Sequence, residues 1–62
     1  MLGYVEFTVN AKKVALELTD IIRFQETDNG ECDVVYMTEE GPQTVRVDQT
    51  FDQVMERIND RI

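Results

Sequence analysis

The residues best equipped for chemistry crowd one short stretch, Asp28-Asn29-Gly30-Glu31-Cys32-Asp33, where carboxylates, an amide and a thiol are close neighbours. Oxygen ligands at this density invite a calcium loop. An EF-hand loop, however, needs acidic or amide residues at every second position and a glycine at its sixth, and this stretch has neither spacing. Asn-Gly is instead among the strongest hairpin signals, because both central residues of a type I′ turn need positive φ. Cys32 as a nucleophile would need a base or a positive neighbour to lower its pKa. Glu31 and Asp33 flank it and push the other way, so it reads as a small strand residue. Glu39-Glu40 pairs two carboxylates, but in a loop with no apolar wall to perturb them they are a solvated face. The chain has no histidine, no glycine-rich phosphate cradle and no aromatic-plus-basic stacking platform. The expectation is a protein that is not an enzyme, with no cofactor, no metal site and no small-molecule substrate.

The bulk properties narrow the choice further. A chain of 62 residues is a single domain spanning 1–62, and at this size only about 60% of the unfolded surface is buried on folding. One cysteine cannot staple the core, so oligomerisation is the natural supplement, and a lone thiol fits a reducing, cytoplasmic setting. Thirteen acidic against six basic residues give a formal charge of −7, which repels phosphate backbones and anionic membranes. Neither nucleic acid nor membrane is therefore an expected partner. Apolar runs are short, so nothing is long enough to span a bilayer, and the N-terminus does not read as a signal peptide.

The elements that position these residues follow from pattern. Tyr4 to Val9 alternates, with Val5, Phe7 and Val9 on one side, as a half-buried strand requires. Asn10-Ala11-Lys12-Lys13 closes a tight hairpin onto a second strand, Val14 to Leu18. Thr19-Asp20 favours a turn or a single helical turn. The third strand, Ile21 to Glu26, lies within the central stretch Leu16 to Gln25 and reads as covered on both faces. Thr27 to Glu31 turns into a fourth strand, Cys32 to Thr38, apolar on both faces through Val34, Val35, Tyr36 and Met37. Glu39-Glu40-Gly41-Pro42-Gln43 is a loop, and Thr44 to Asp48 is a fifth strand. Thr50-Phe51-Asp52-Gln53 fits a capping box. Behind it, Phe51, Val54, Met55, Ile58 and Ile62 form one apolar helical stripe that packs as core. Asp52 complements the positive helix start, and Arg57 and Arg61 its negative end. A helix of about twelve residues is unstable alone, so the stripe must dock on the sheet. The expected fold is α+β: a small antiparallel five-stranded meander with one C-terminal helix packed on one face, β-β-β-β-β-α.

This order of features resembles the small FlbD-like flagellar and swarming-motility proteins and, more distantly, the compact sheet of LytTR-type domains. The matching pieces are Asn10-Ala11-Lys12-Lys13, Thr19 to Thr27, Thr44-Val45-Arg46-Val47 and Thr50 to Ile58, a likeness of hydrophobic pattern and turn chemistry. Ala11 stands where a turn glycine is expected, the Gly41-Pro42 loop is atypical, and the basic surface of DNA-binding LytTR domains is missing. The resemblance implies the fold and carries over no catalytic residue.

What remains is surface. If Val5, Phe7, Leu16, Ile22, Val34 and Val45 line the face under the helix, then Tyr4, Thr8, Ala15, Ile21, Val35 and Met37 point the other way. A shift of one residue in the third and fourth strands would exchange their two sets and still leave two apolar faces. One helix cannot cover both. Tyr4, Ile21, Val35 and Met37 are thus the expected interface of a non-catalytic interaction module that associates with itself, or with another protein, through an apolar sheet face or an edge strand. The alternative is an acidic inhibitor or nucleic-acid mimic of the kind phages encode. In that reading Glu26, Asp28, Glu31, Asp33, Glu39 and Glu40, uninterrupted by Lys or Arg, face a basic site on a nucleic-acid-handling protein.

Overall fold

The computed structural model describes residues 3–61, with side chains through residue 59. Ile62 and the Arg61 side chain, assigned above to the helix stripe and its negative end, lie outside the described residues. The chain forms β1 (Tyr4–Val9), β2 (Lys12–Glu17), a single 3₁₀ turn at Leu18–Asp20, β3 (Ile21–Glu26), β4 (Glu31–Thr38), β5 (Gly41–Thr50) and α1 (Phe51–Arg61). All the strand pairs are antiparallel. No helix among the described residues is long and apolar enough to cross a membrane.

The five strands do not make one meander. They form a two-stranded sheet, β1-β2, and a three-stranded sheet, β3-β4-β5. The 3₁₀ turn after β2 redirects the chain, and β1 comes to lie beside β5 instead. No backbone ladder joins β1 to β5. Side chains bridge them: Gln49 Oε1 accepts from the Thr8 N–H at 3.2 Å, and Gln49 Nε2 donates to Thr8 Oγ1 at 3.2 Å.

The turn between β1 and β2 needs only Asn10 and Ala11, both left-handed at φ 51° and 66°, so Lys12 and Lys13 belong to the strand. Asparagine tolerates this region. For alanine it costs about 1–2 kcal/mol because Cβ crowds the following carbonyl. The Asp48 carboxylate offsets that cost by accepting from the N–H groups of Asn10, at 3.2 Å, and Ala11, at 2.9 Å.

The Asn-Gly hairpin departs from the type I′ expectation. Positive φ falls on Gly30 alone, at 80°, and the Gly30 N–H donates to the Thr27 carbonyl. The turn therefore runs Thr27-Asp28-Asn29-Gly30, with the glycine as its last residue. Thr38-Glu39-Glu40-Gly41 repeats the arrangement, with Gly41 at φ 106°. In both turns the threonine hydroxyl accepts from the N–H two residues on, that of Asn29 or Glu40. Gly41, Pro42 and Gln43 are not loop but the start of β5. Proline lacks a ladder donor, yet it is tolerated here because β5 is an edge of its sheet.

The core joins both sheets to the helix: Val5, Phe7, Cys32, Val34, Val47 and Val54 are buried, with Leu16, Ile21, Phe24, Phe51, Met55 and Ile58 packed around them. Full burial of a valine or phenylalanine side chain contributes roughly 1.5–3 kcal/mol. The rings of Phe7 and Phe24 meet across the two sheets at 6.4 Å and a 56° tilt, within the favourable range for aromatic pairs. The capping box of α1 forms as its sequence implies, Gln53 N–H to Thr50 Oγ1 at 3.1 Å and Thr50 N–H to Gln53 Oε1 at 2.9 Å. The Phe51 N–H, left over at the helix start, donates to the Gly30 carbonyl at 3.0 Å.

Candidate interaction surface

The four residues expected to form an apolar interface do not share one face. Ile21 packs against the core, whereas Ile22 is 50% exposed. This reverses the roles the pattern gave them, and a bulge is the cause. The register runs Ile21 opposite Tyr36 and then Arg23 opposite Val35, so Ile22 is an extra residue in β3. A bulge sets two residues against one on the partner strand. With Ile21 on the core side, Ile22 joins Arg23 and Val35 on the outward side. Met37 is 48% exposed two residues beyond Val35, with Pro42 across from it. Tyr4, at 62%, is exposed on the other sheet, opposite Glu17. The outward face of the three-stranded sheet thus carries Ile22, Val35, Met37 and Pro42 at one end. At the other end of that face stand Gln25, Asp33 and Arg46, aligned across the three strands.

The acidic residues are divided in the same way. Arg46 holds Asp33 through two hydrogen bonds, at 2.8 and 3.1 Å, and lies 3.6 Å from Glu31. The hydrogen bond from its guanidinium keeps the Asp33 carboxyl below the usual carboxylate range, and the same contact raises Arg46. Asp28 sits in the turn at one end of β4 and Glu39 and Glu40 in the turn at the other. At about 3.3 Å per residue, the eight residues of β4 separate these groups by roughly 23 Å. The run of acids is contiguous in sequence but split in space, and its middle is partly neutralised.

Cys32 is fully buried, and burial pushes its thiol above the ordinary value. Among the described residues no three His, Cys, Asp or Glu side chains converge as metal ligands. The larger cleft, about 650 Å³, lies between β1, β5 and α1 and is lined by Thr8, Asp48, Gln49, Gln53, Glu56 and Arg57. Most of its polar groups are already committed. Asp48 holds the first turn, Gln49 bridges to Thr8, Gln53 caps the helix, and Arg57 donates to the Glu6 carbonyl. A smaller cleft of about 550 Å³ adjoins the outward face of β1 and β2 through Tyr4, Glu6, Ala15 and Arg57.

Sequence pattern missed Ile22, because a bulge leaves no signature in alternation. It also missed the clamp made by Asp48, Gln49 and Arg57, whose partners lie far away in the chain. Comparison of the chain with family models, with curated proteins and with solved structures finds no match.

Proposed function

We propose that the chain is a non-catalytic interaction module that works as a homo-oligomer, with a second copy or another protein as its partner. The observation that supports this is the unfinished outside of its two sheets. Ile22 and Met37 are exposed on one face with Val35 half-buried beside them, and among the described residues the edges of β2 and β3 have no strand beside them. Exposed apolar clusters and open strand edges are the surfaces that proteins use for association. A chain of this size also has a small core to supplement. The acidic-mimic reading has less support, since Arg46 engages two of its six carboxylates and β4 separates the others. A reducing compartment suits the single buried thiol.

Sedimentation equilibrium over a wide concentration range tests the reading. A mass rising above 7.2 kDa toward a defined multiple is expected. A mass that stays at the monomer value at about millimolar protein, where even weak association shows, would overturn it.

A further inference from the structure

The self-association proposed above leaves open which surface meets which, and the register of β2 offers an answer. The Leu18 N–H donates to the Gly3 carbonyl at 2.9 Å, which makes positions 3 and 18 a bonded pair. Bonded and non-bonded pairs alternate along an antiparallel ladder. The pairs Val5 with Leu16, Phe7 with Val14 and Val9 with Lys12 are then bonded as well. The backbone groups of Glu6 and Thr8 on β1, and of Lys13, Ala15 and Glu17 on β2, therefore point away from the hairpin. On β1 this parity is seen directly, since the Thr8 N–H goes to Gln49 and the Glu6 carbonyl to Arg57.

The four strand edges differ. That of β5 lies beside β1 and carries Pro42, which has no ladder donor. That of β1 is capped by Gln49 and Arg57. That of β3 is interrupted by the bulge at Ile22, a feature that turns an edge away from pairing. The edge of β2 away from β1 is regular, and among the described residues no strand pairs with it.

We infer that the free edge of β2 pairs antiparallel with the same edge of a second copy, about a two-fold axis at Ala15. In that register Lys13 faces Glu17 of the partner subunit, Glu17 faces Lys13 of the partner subunit, and the two Ala15 residues face each other. On the core side Val14 meets Leu16 of the partner subunit, and the reverse. Every outward-aimed backbone group meets another, giving about six ladder bonds, two at each facing pair. Faces match as well, because the positions brought together share their parity. A lysine on an open edge ordinarily discourages pairing; here the two-fold axis sets it against a carboxylate twice. The small side chain of Ala15, exposed at the axis, leaves room for its copy. The contact is isologous and joins two hairpins into one four-stranded sheet, which closes at two copies.

Sedimentation velocity on the full chain at physiological ionic strength, with circular dichroism as the check on folding, tests the register. Lys13→Glu and Glu17→Lys each place like charges opposite one another at both symmetric positions and should weaken the dimer about tenfold. The double variant Lys13→Glu/Glu17→Lys restores opposite charges and should recover affinity to within about threefold. No weakening by either single reversal, or no recovery in the double, would overturn the inference. Association lost instead on Ile22→Lys or Met37→Lys would overturn the β2 contact alone and leave self-association standing. A wild-type chain that never leaves the monomer would overturn both.

Discussion

The two sheets are finished by different means. In the three-stranded sheet the turns are closed from within: the hydroxyls of Thr27 and Thr38 bind backbone groups no more than four positions away. The two-stranded sheet borrows. Its turn is held by Asp48 and its outer edge by Gln49 and Arg57, from 37 to 51 positions along the chain. The turns of the larger sheet are thus closed by near neighbours, whereas the smaller one, a local hairpin in its ladder, has its turn and outer edge closed only by residues 48–57.

Deleting the residue that joins the two sheets should have the largest effect. Phe7, buried and in contact with Phe24, should lose about 3–5 kcal/mol on substitution by alanine. That is most of the stability of a domain this small, and urea titration followed by circular dichroism should find Phe7→Ala largely unfolded in buffer. Phe24→Ala, at a half-buried site, should cost less. Next comes the clamp. Asp48→Ala should cost about 1–2 kcal/mol, with hydrogen exchange accelerated at Asn10 and Ala11, far away in sequence. Thr27→Ala should accelerate exchange only at Asn29 and Glu31, next to the change. Equal spread from both variants would erase the contrast between the sheets. A smaller effect of opposite sign is expected at the first turn, where Ala11→Gly removes the Cβ from a left-handed residue. It should raise stability by about 0.5–1 kcal/mol, read as a shift in urea midpoint.

The smallest effect belongs to the ion pair on the larger sheet. Because Arg46 lowers the Asp33 pKa in the folded state, the pair contributes above the ordinary carboxylate range and is lost as pH falls through the folded value. Asp33→Asn should therefore flatten the acid limb of the stability profile and leave the alkaline limb unchanged.

The contrast also explains what could be read from the residues alone. β1 and β3 have the bounds that pattern and breakers give them, although β3 is a half-exposed edge strand and not the central strand covered on both faces that its apolar residues suggested. Thr50 and Gln53 cap the helix as their spacing requires. These are local matters. The paired Thr-x-x-Gly turns were legible in principle, but the Asn-Gly signal drew the turn one residue too late. The bulge at Ile22 could not be seen, because inserting one residue changes which side chains face out without changing their order. For the same reason the apolar patch was expected around Ile21, with Tyr4 joined to a face that belongs to the other sheet. The meeting of β1 with β5 depends on the glutamine and aspartate at the end of β5, polar residues whose distant partners no periodicity marks. A single meander was the simpler reading of the same five strands.

The bond from Arg57 to the Glu6 carbonyl ties the first strand to the last helix. During synthesis the β1-β2 hairpin emerges ahead of α1, and this tie cannot form until residue 57 has left the ribosome. Until then the Glu6 carbonyl on the flank of β1 is open to any nascent or neighbouring polypeptide, so the sheet that borrows its closure passes through a stage at which it can mispair.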